Sequence, residues 1–228
     1  MNKTKIEWCD YTINPVKGMC PVGCPYCYAR AMYKRFKRDE SLSYHDEVFK
    51  GVHSLRTTSR IFVGSTIDLF HDKTSGLIPR ILEHARHSPW HTFIFLTKCP
   101  ENLIECSPFQ DNCWIGCSCT DQMMFTVAAD YLAMIEAKVK FVSFEPLLGQ
   151  IDYGGTTWQE FMLSGINWVI IGQQTPVRKS TMPKPEWIHD IVDAADKVDI
   201  PVFLKNNLYS VLKSDPAHLR QQWPEVKK

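Results

Sequence analysis

The sequence predicts an α/β fold, a full or partial (β/α) barrel of the TIM kind with parallel strands, on three observations. Short apolar, β-branched runs recur about every 30 residues. Amphipathic segments at helical spacing lie between them. The runs are apolar at successive positions, as strands are when helices cover both faces of their sheet. An open doubly wound sheet meets the same pattern and is the alternative.

Taken in order, a first strand falls around residues 11–16. A basic helix over 30–38 follows, and then 37–53, which reads as a loop. The second strand is Ile61-Phe62-Val63-Gly64. A helix over 77–87 carries Leu77, Ile78, Ile81, Leu82 and Ala85 on one face. Strands at 92–96 and 114–117 come next, and then a helix over 121–137 with Met124, Val127, Ala128, Tyr131, Leu132 and Ile135. Strands at 140–144 and 168–172 precede a helix over 185–198, which has proline in its first turn. The last strand is 201–204. A chain of 228 residues, 44% hydrophobic and 22% charged, suits a single domain over 1–228 with a substantial core.

The strand ends are polar: Ser65-Thr66-Ile67-Asp68, Thr97-Lys98, Ser118, Glu145, Gln173-Gln174 and Lys205-Asn206. In α/β barrels the working site lies at these ends. Lysine and glutamate directly abutting apolar runs need partners when buried. Pairing among Lys98, Glu145 and Lys205 would supply them, either in a working pocket or as a rim salt bridge without chemistry.

A formal net charge of +1 gives no global field toward a polyanion or a membrane. No apolar run approaches the roughly 18 residues of a membrane span. No apolar stretch near the start reads as a signal peptide. The expectation is a cytoplasmic protein with no membrane partner.

Nine cysteines, an odd number, argue against a disulfide framework in a reducing compartment and toward metal or redox chemistry in any tight cluster. Residues 20–27, Cys20-Pro-Val-Gly-Cys24-Pro-Tyr-Cys27, make one. Helical steps of four and three would align the three cysteines, but Pro21 and Pro25 forbid the helix. The segment is a loop, and a loop with three thiols reads as wrapping a metal. Structural zinc takes four protein ligands, and an ordinary cubane cluster takes four cysteines. Three leave a metal position open for substrate or cofactor.

The spacing C-x3-C-x-aromatic-C, directly after the first strand, resembles the signature of the radical S-adenosylmethionine (SAM) superfamily. A longer resemblance is to a family of small radical SAM proteins associated with phages and bacteria, whose activity is unsettled. It rests on Ile6-Glu7-Trp8, Asn14-Pro15, Ile61 to Ser65 with Asp68-Leu69-Phe70-His71, Leu96-Thr97-Lys98, Phe144-Glu145-Pro146-Leu147-Leu148 and Trp168 to Gly172. Cys27-Tyr28-Ala29 is also similar to spore photoproduct lyase. Two departures stand out. Gly64-Ser65-Thr66 and Asp68 replace the Gly-Gly-Glu that often follows the second strand, and Gln173-Gln174 replaces an expected Gly-Glu pair.

The resemblance implies an enzyme. Cys20, Cys24 and Cys27 would hold three irons of a [4Fe-4S] cluster whose fourth iron is chelated by SAM. Tyr26 would lie near the adenine. Asp68 and His71 would lie toward the methionine amine, Ser118 toward the ribose, and Ser65 and Gln173 near SAM. Lys98, Glu145 and Lys205 would face substrate or the SAM carboxylate. Reductive cleavage of SAM would give methionine and a 5′-deoxyadenosyl radical that abstracts hydrogen from the substrate. An electron donor such as flavodoxin or ferredoxin is implied as partner. A small molecule or a protruding nucleotide fits the chain's size better as substrate than a folded protein does.

The rival class is a non-catalytic metal module, with zinc on the three cysteines plus Cys9 or a histidine, binding nucleic acid through the basic helix. Other features read blandly. Cys113, Cys117 and Cys119 share a strand face and read as core packing. Cys9, Cys99 and Cys106 read as scattered thiols, and His84, His87 and His91 as surface histidines. Arg30, Lys34, Arg35, Lys37 and Arg38, with Tyr33 and Phe36, read as a solvated helix face, with phosphate tracking as the alternative.

Overall fold

The computed structural model describes residues 1–151, 155–213 and 219–225. The fold is mixed α/β with a mostly parallel sheet of eight strands. The chain divides into two compact units, Met1–Ile115 with Glu136–Lys138 and Gly116–Ile135 with Val139–Lys228.

The first unit holds β1 (Asn2–Lys3), β2 (Tyr11–Ile13), β3 (Val16–Lys17), β4 (Ser43–Tyr44), β5 (Arg60–Val63), β6 (Thr92–Thr97) and the start of β7 (Cys113–Ser118). Its helices are α1 (Tyr28–Phe36), α2 (Lys50–His53) and α3 (Ile78–Arg86). The sheet order is β1-β2-β5-β6-β7. β1 runs antiparallel to β2, and β2, β5 and β6 run parallel, with Ile13 opposite Val63 and Val63 opposite Phe95. β3 and β4 form a separate antiparallel ribbon.

The second unit continues from β7 with β8 (Val139–Phe144), β9 (Trp168–Ile171) and β10 (Val202–Leu204), in the order β7-β8-β9-β10. β8, β9 and β10 are parallel. Its helices are α4 (Gln122–Ala133), α5 (Thr157–Ser164), α6 (Pro185–Asp196) and α7 (Tyr209–Leu212).

All seven expected strands are present. Successive strand residues point to opposite faces, and Trp168, Val169, Ile170 and Ile171 of β9 are all fully buried. That strand is covered on both sides, which is why its sequence is uniformly apolar. In both units the parallel strands follow chain order. A doubly wound sheet reverses its order at a switch point, and among the described strands no such reversal occurs.

The helices form where apolar spacing and end signals agree. Asp121 caps α4, its carboxylate accepting the Met124 N–H at 3.0 Å. α4 stops at Ala133, short of the expected 137, and Glu136 then takes other partners: its N–H donates to Ser107 Oγ at 2.9 Å and its carbonyl accepts the Phe109 N–H at 2.8 Å.

Two expectations need correction. Residues 37–53 are not a plain loop: they contain β4, a 3-10 turn over Asp46–Phe49, and α2. Phe49 and Val52 are buried there, and the His45 N–H donates to the Pro15 carbonyl at 2.7 Å. Helix α5 was not expected at all. It buries Thr157, Phe161 and Ser164 while Met162 and Leu163 stay exposed, so two of its three buried residues are polar and two apolar ones face solvent, which blurs the amphipathic pattern. Among the described residues no helix is long and apolar enough to cross a membrane.

Candidate functional site

The three-cysteine loop is a run of turns, as its prolines require. Its entry is fixed by Gly18, whose N–H donates to the Tyr33 hydroxyl at 3.0 Å. A Cβ on Gly18 would stand 2.6 Å from the Ser41 carbonyl oxygen, and its φ is +124°, so only glycine serves. The Met19 N–H donates to the Glu40 carbonyl at 2.9 Å. The exit is the start of α1, where Cys27 is the N-cap and its sulfur accepts the Arg30 N–H at 3.5 Å. The Arg30 guanidinium reaches back to the Cys20 carbonyl at 3.2 Å and braces the loop across its width.

Cys20, Cys24 and Cys27 are half-buried thiols. The Cys20 sulfur accepts the Asp68 N–H at 3.4 Å. Burial pushes the Cys20 thiol up; the backbone donors of Asp68 and Val22 offset part of this, and the Asp68 carboxylate and Cys24 add to it. Among the described residues no group of three or more His, Cys, Asp or Glu side chains is placed to hold a single metal ion.

Asp68 is buried and heavily engaged. One carboxylate oxygen accepts the Phe70 N–H at 3.1 Å and the Thr97 hydroxyl at 2.7 Å; the other accepts the Lys98 N–H at 2.7 Å. Its carbonyl accepts the Thr74 hydroxyl at 2.8 Å. The residue therefore joins the loop after β5, the end of β6 and Cys20. Lys98 carries its ammonium 6.0 Å from the centre of the Tyr26 ring, within cation–π range. Ser65 is turned to Asn14: the side-chain Oδ1 of Asn14 accepts the Ser65 hydroxyl at 3.2 Å and both the N–H and hydroxyl of Thr66 at 3.1 Å. His71 serves its own turn, its Nδ1 accepting the Lys73 N–H at 3.2 Å.

In the second unit, Glu145 and Lys205 follow β8 and β10, and their side chains form an ion pair with 21% and 11% of their surface exposed. β9 lies between those strands and is followed by Gly172. A Cβ there would stand 2.9 Å from Lys205 Cδ and 3.3 Å from Glu145 Cγ. The bare glycine lets the pair close over the middle strand. Gln173 is buried; its N–H donates to Asn207 Oδ1 at 3.2 Å, its side-chain amide donates to the Asn207 carbonyl and to Ser210 Oγ, and Asn207 Nδ2 returns a bond to the Gln173 carbonyl at 2.8 Å. This clamp holds the turn that follows Lys205. Ser118 is buried at the end of β7.

Residues 3–213 match a family described as a protein of unknown function (DUF5131). The chain belongs to the DUF5131 family. No curated protein and no solved structure matches it. Every candidate residue, from Cys20 to Lys205, lies within the DUF5131 match.

In the first unit the structure brings Cys20 and Asp68 together, and Tyr26 and Lys98; in the second it joins Glu145 and Lys205. Of the pairing expected among three residues, Glu145 and Lys205 supply it, while Lys98 stands over Tyr26. Three residues of this DUF5131 chain take part in ways the sequence reading did not give: it used Asn14 only for the resemblance, read Cys99 as a scattered thiol and did not name Asn207. Asn14 ties β2 to the loop after β5, Asn207 clamps Gln173, and Cys99 stands near Cys20 and Asp68. The Cys99 thiol is pushed up to about 12, by burial first and then by the charges of Asp68, Glu101, Asp72 and Cys20. Cys113, Cys117 and Cys119 are buried in or beside β7, as core packing requires. The histidine expectation is corrected: His91 is buried, with Nε2 3.3 Å from the Val52 carbonyl, and His84 stacks on Phe49 at 3.9 Å.

Proposed function

We propose that this DUF5131 protein is a radical SAM enzyme on a partial α/β barrel, with Cys20, Cys24 and Cys27 holding a [4Fe-4S] cluster. The observation that carries the reading is the cysteine loop: three thiols in a proline-interrupted turn, with backbone N–H donors on the sulfurs of Cys20 and Cys27. Such donors tune cluster thiolates. A cubane takes each thiolate on a different iron, whereas one zinc ion needs its ligands to converge on a point about 2.3 Å from each sulfur. The strand order following the chain supports the barrel over a doubly wound sheet.

Held by Cys20, Cys24 and Cys27, the cluster would supply the electron for reductive cleavage of SAM. The chain's own residues orient and enclose. Asp68 spends its carboxylate on Phe70, Thr97 and Lys98, and so positions Cys20 through its N–H. Tyr26 offers a ring beside the loop, and Lys98 a positive charge over that ring, suited to a carboxylate or phosphate. Gln173 holds the turn after Lys205 in place. Glu145 and Lys205 offer a paired acid and base to substrate. Substrate is a small molecule or a protruding nucleotide, and an electron donor of the flavodoxin or ferredoxin type completes the reaction.

The test is anaerobic incubation of the iron-loaded protein with dithionite and SAM, followed by chromatography. 5′-Deoxyadenosine and methionine are expected in equal amounts, slowly even without substrate. A reduced, iron-loaded protein that binds SAM and yields no 5′-deoxyadenosine with any candidate substrate would refute the activity.

A further inference from the structure

Helix α1 turns an unusual face to solvent. Tyr28, Met32 and Phe36 recur every fourth residue, so they share one side of the helix, and they are 46%, 37% and 57% exposed. Ala29 alone is buried in this helix. Lys34, Arg35, Lys37 and Arg38 stand exposed along its last turn and just beyond. Arg30 does not belong to this surface, because its guanidinium is committed to the Cys20 carbonyl. The arginines lie on rings: Arg35 is 5.4 Å from the centre of Phe36, and Arg38 is 5.6 Å from Phe36 and 6.0 Å from Tyr33. The Tyr33 hydroxyl, accepting the Gly18 N–H, pins the helix to the turn before the cysteines. Asp39 and Glu40 end the run, and the Asp39 carboxylate is occupied by the Ser41 N–H at 2.9 Å.

Apolar side chains left this exposed in a row, with four exposed cations on the same short helix and the turn after it, mark a binding surface. We propose that α1 and the turn after it bind single-stranded nucleic acid, with unpaired bases stacking on Phe36 and Tyr28 and phosphates meeting Lys34, Arg35, Lys37 and Arg38. Cations track the backbone, and flat rings accept any base face. A duplex hides those faces. A nine-residue helix with three half-exposed apolar side chains offers little area to lipid. An acidic protein would use the cations, but arginines layered on rings already form a stack that a base extends. The surface stands whether or not the cysteines hold a cluster.

The test is fluorescence anisotropy of the full chain with labelled single strands of ~12 nucleotides, RNA and DNA, and with the matching duplex, from about 50 to 200 mM salt. Single strands are expected to bind more tightly than duplex. Lys34→Gln with Lys37→Gln should make the slope of log K against log salt shallower by about 1.4, at ~0.7 per lost phosphate contact. Phe36→Ala should weaken single-strand binding about tenfold, leave the salt slope unchanged, and leave heparin, a polyanion without bases, bound as before. All three side chains are exposed, so thermal melts should match the wild type. The proposal is overturned by an absence of binding at low salt, by equal duplex binding that ignores Phe36→Ala, or by binding only to anionic vesicles or an acidic protein run in parallel.

Discussion

The backbone N–H of Asp68 lies 3.4 Å from the sulfur of Cys20, while the carboxylate of the same residue grips the end of β6 through Thr97 and Lys98. One residue, through its backbone N–H and its carboxylate, thus sets both the cysteine loop's first sulfur and the start of the segment that carries Lys98. Replacing Asp68 with asparagine sets an amide N–H against another N–H whichever way the new amide turns. The expected cost is about 1–3 kcal/mol, the usual penalty for a buried donor left without its acceptor. Urea unfolding measures it, and a variant within about 0.5 kcal/mol of wild type would show that Asp68 is not the joint it is taken for.

The Glu145–Lys205 pair gives a second prediction. Lys205→Met strands a carboxylate that is mostly buried, whereas Lys205→Met with Glu145→Gln removes both charges. The double variant should be more stable than Lys205→Met by at least ~1 kcal/mol. Additive losses in the double-mutant cycle would argue against a coupled pair. Gly172→Ala should displace the pair and cost about 1–3 kcal/mol by overpacking.

The cysteines of β7 make a third. Cys113 is fully buried and its thiol is pushed up to about 12 by that burial, so it should resist iodoacetamide at pH ~8, where an ordinary thiol near pKa ~8.5 reacts. Cys117→Val should leave iron content unchanged and cost under ~1.5 kcal/mol. Iron loss on that single change would make β7 a metal site instead of core.

A pH effect follows from His53. Its Nδ1 is 2.9 Å from Ser88 Oγ and its Nε2 is 3.0 Å from His84 Nδ1. Burial holds its pKa below the usual value, with His84, His87 and His91 pushing the same way and Asp46 opposing. The unfolded chain then binds the proton more readily than the folded one. Stability is fully present above the unfolded value of about 6.5 and falls as pH drops below it. Thermal melts at pH ~7.5 and ~5 should show this fall, and His53→Gln should show less of it. Equal falls in both proteins would assign the effect elsewhere.

Much of this was legible in the sequence because burial on both faces writes itself into composition. β9 could be read from Trp168-Val169-Ile170-Ile171 alone, and the loop from two prolines between cysteines. α5 was hidden because two of its three buried residues are Thr157 and Ser164, while Met162 and Leu163 are exposed. The site was legible as a set of strand ends, but not as a set of partners. That Ser65 bonds Asn14, that Gln173 is clamped by Asn207, and that Asp68 turns its carboxylate inward are consequences of tertiary contact between residues 29 to 51 positions apart. No local pattern carries that information.

The iron content of the anaerobically purified protein, compared with a variant in which Cys20, Cys24 and Cys27 are all alanine, tests the proposed cluster most directly. The wild type should carry about four irons and as many sulfides per chain, with the brown absorbance of a thiolate-held cluster, and the variant should carry none. A colourless wild-type protein that cannot be reconstituted with iron, or a triple variant with unchanged iron, would contradict it.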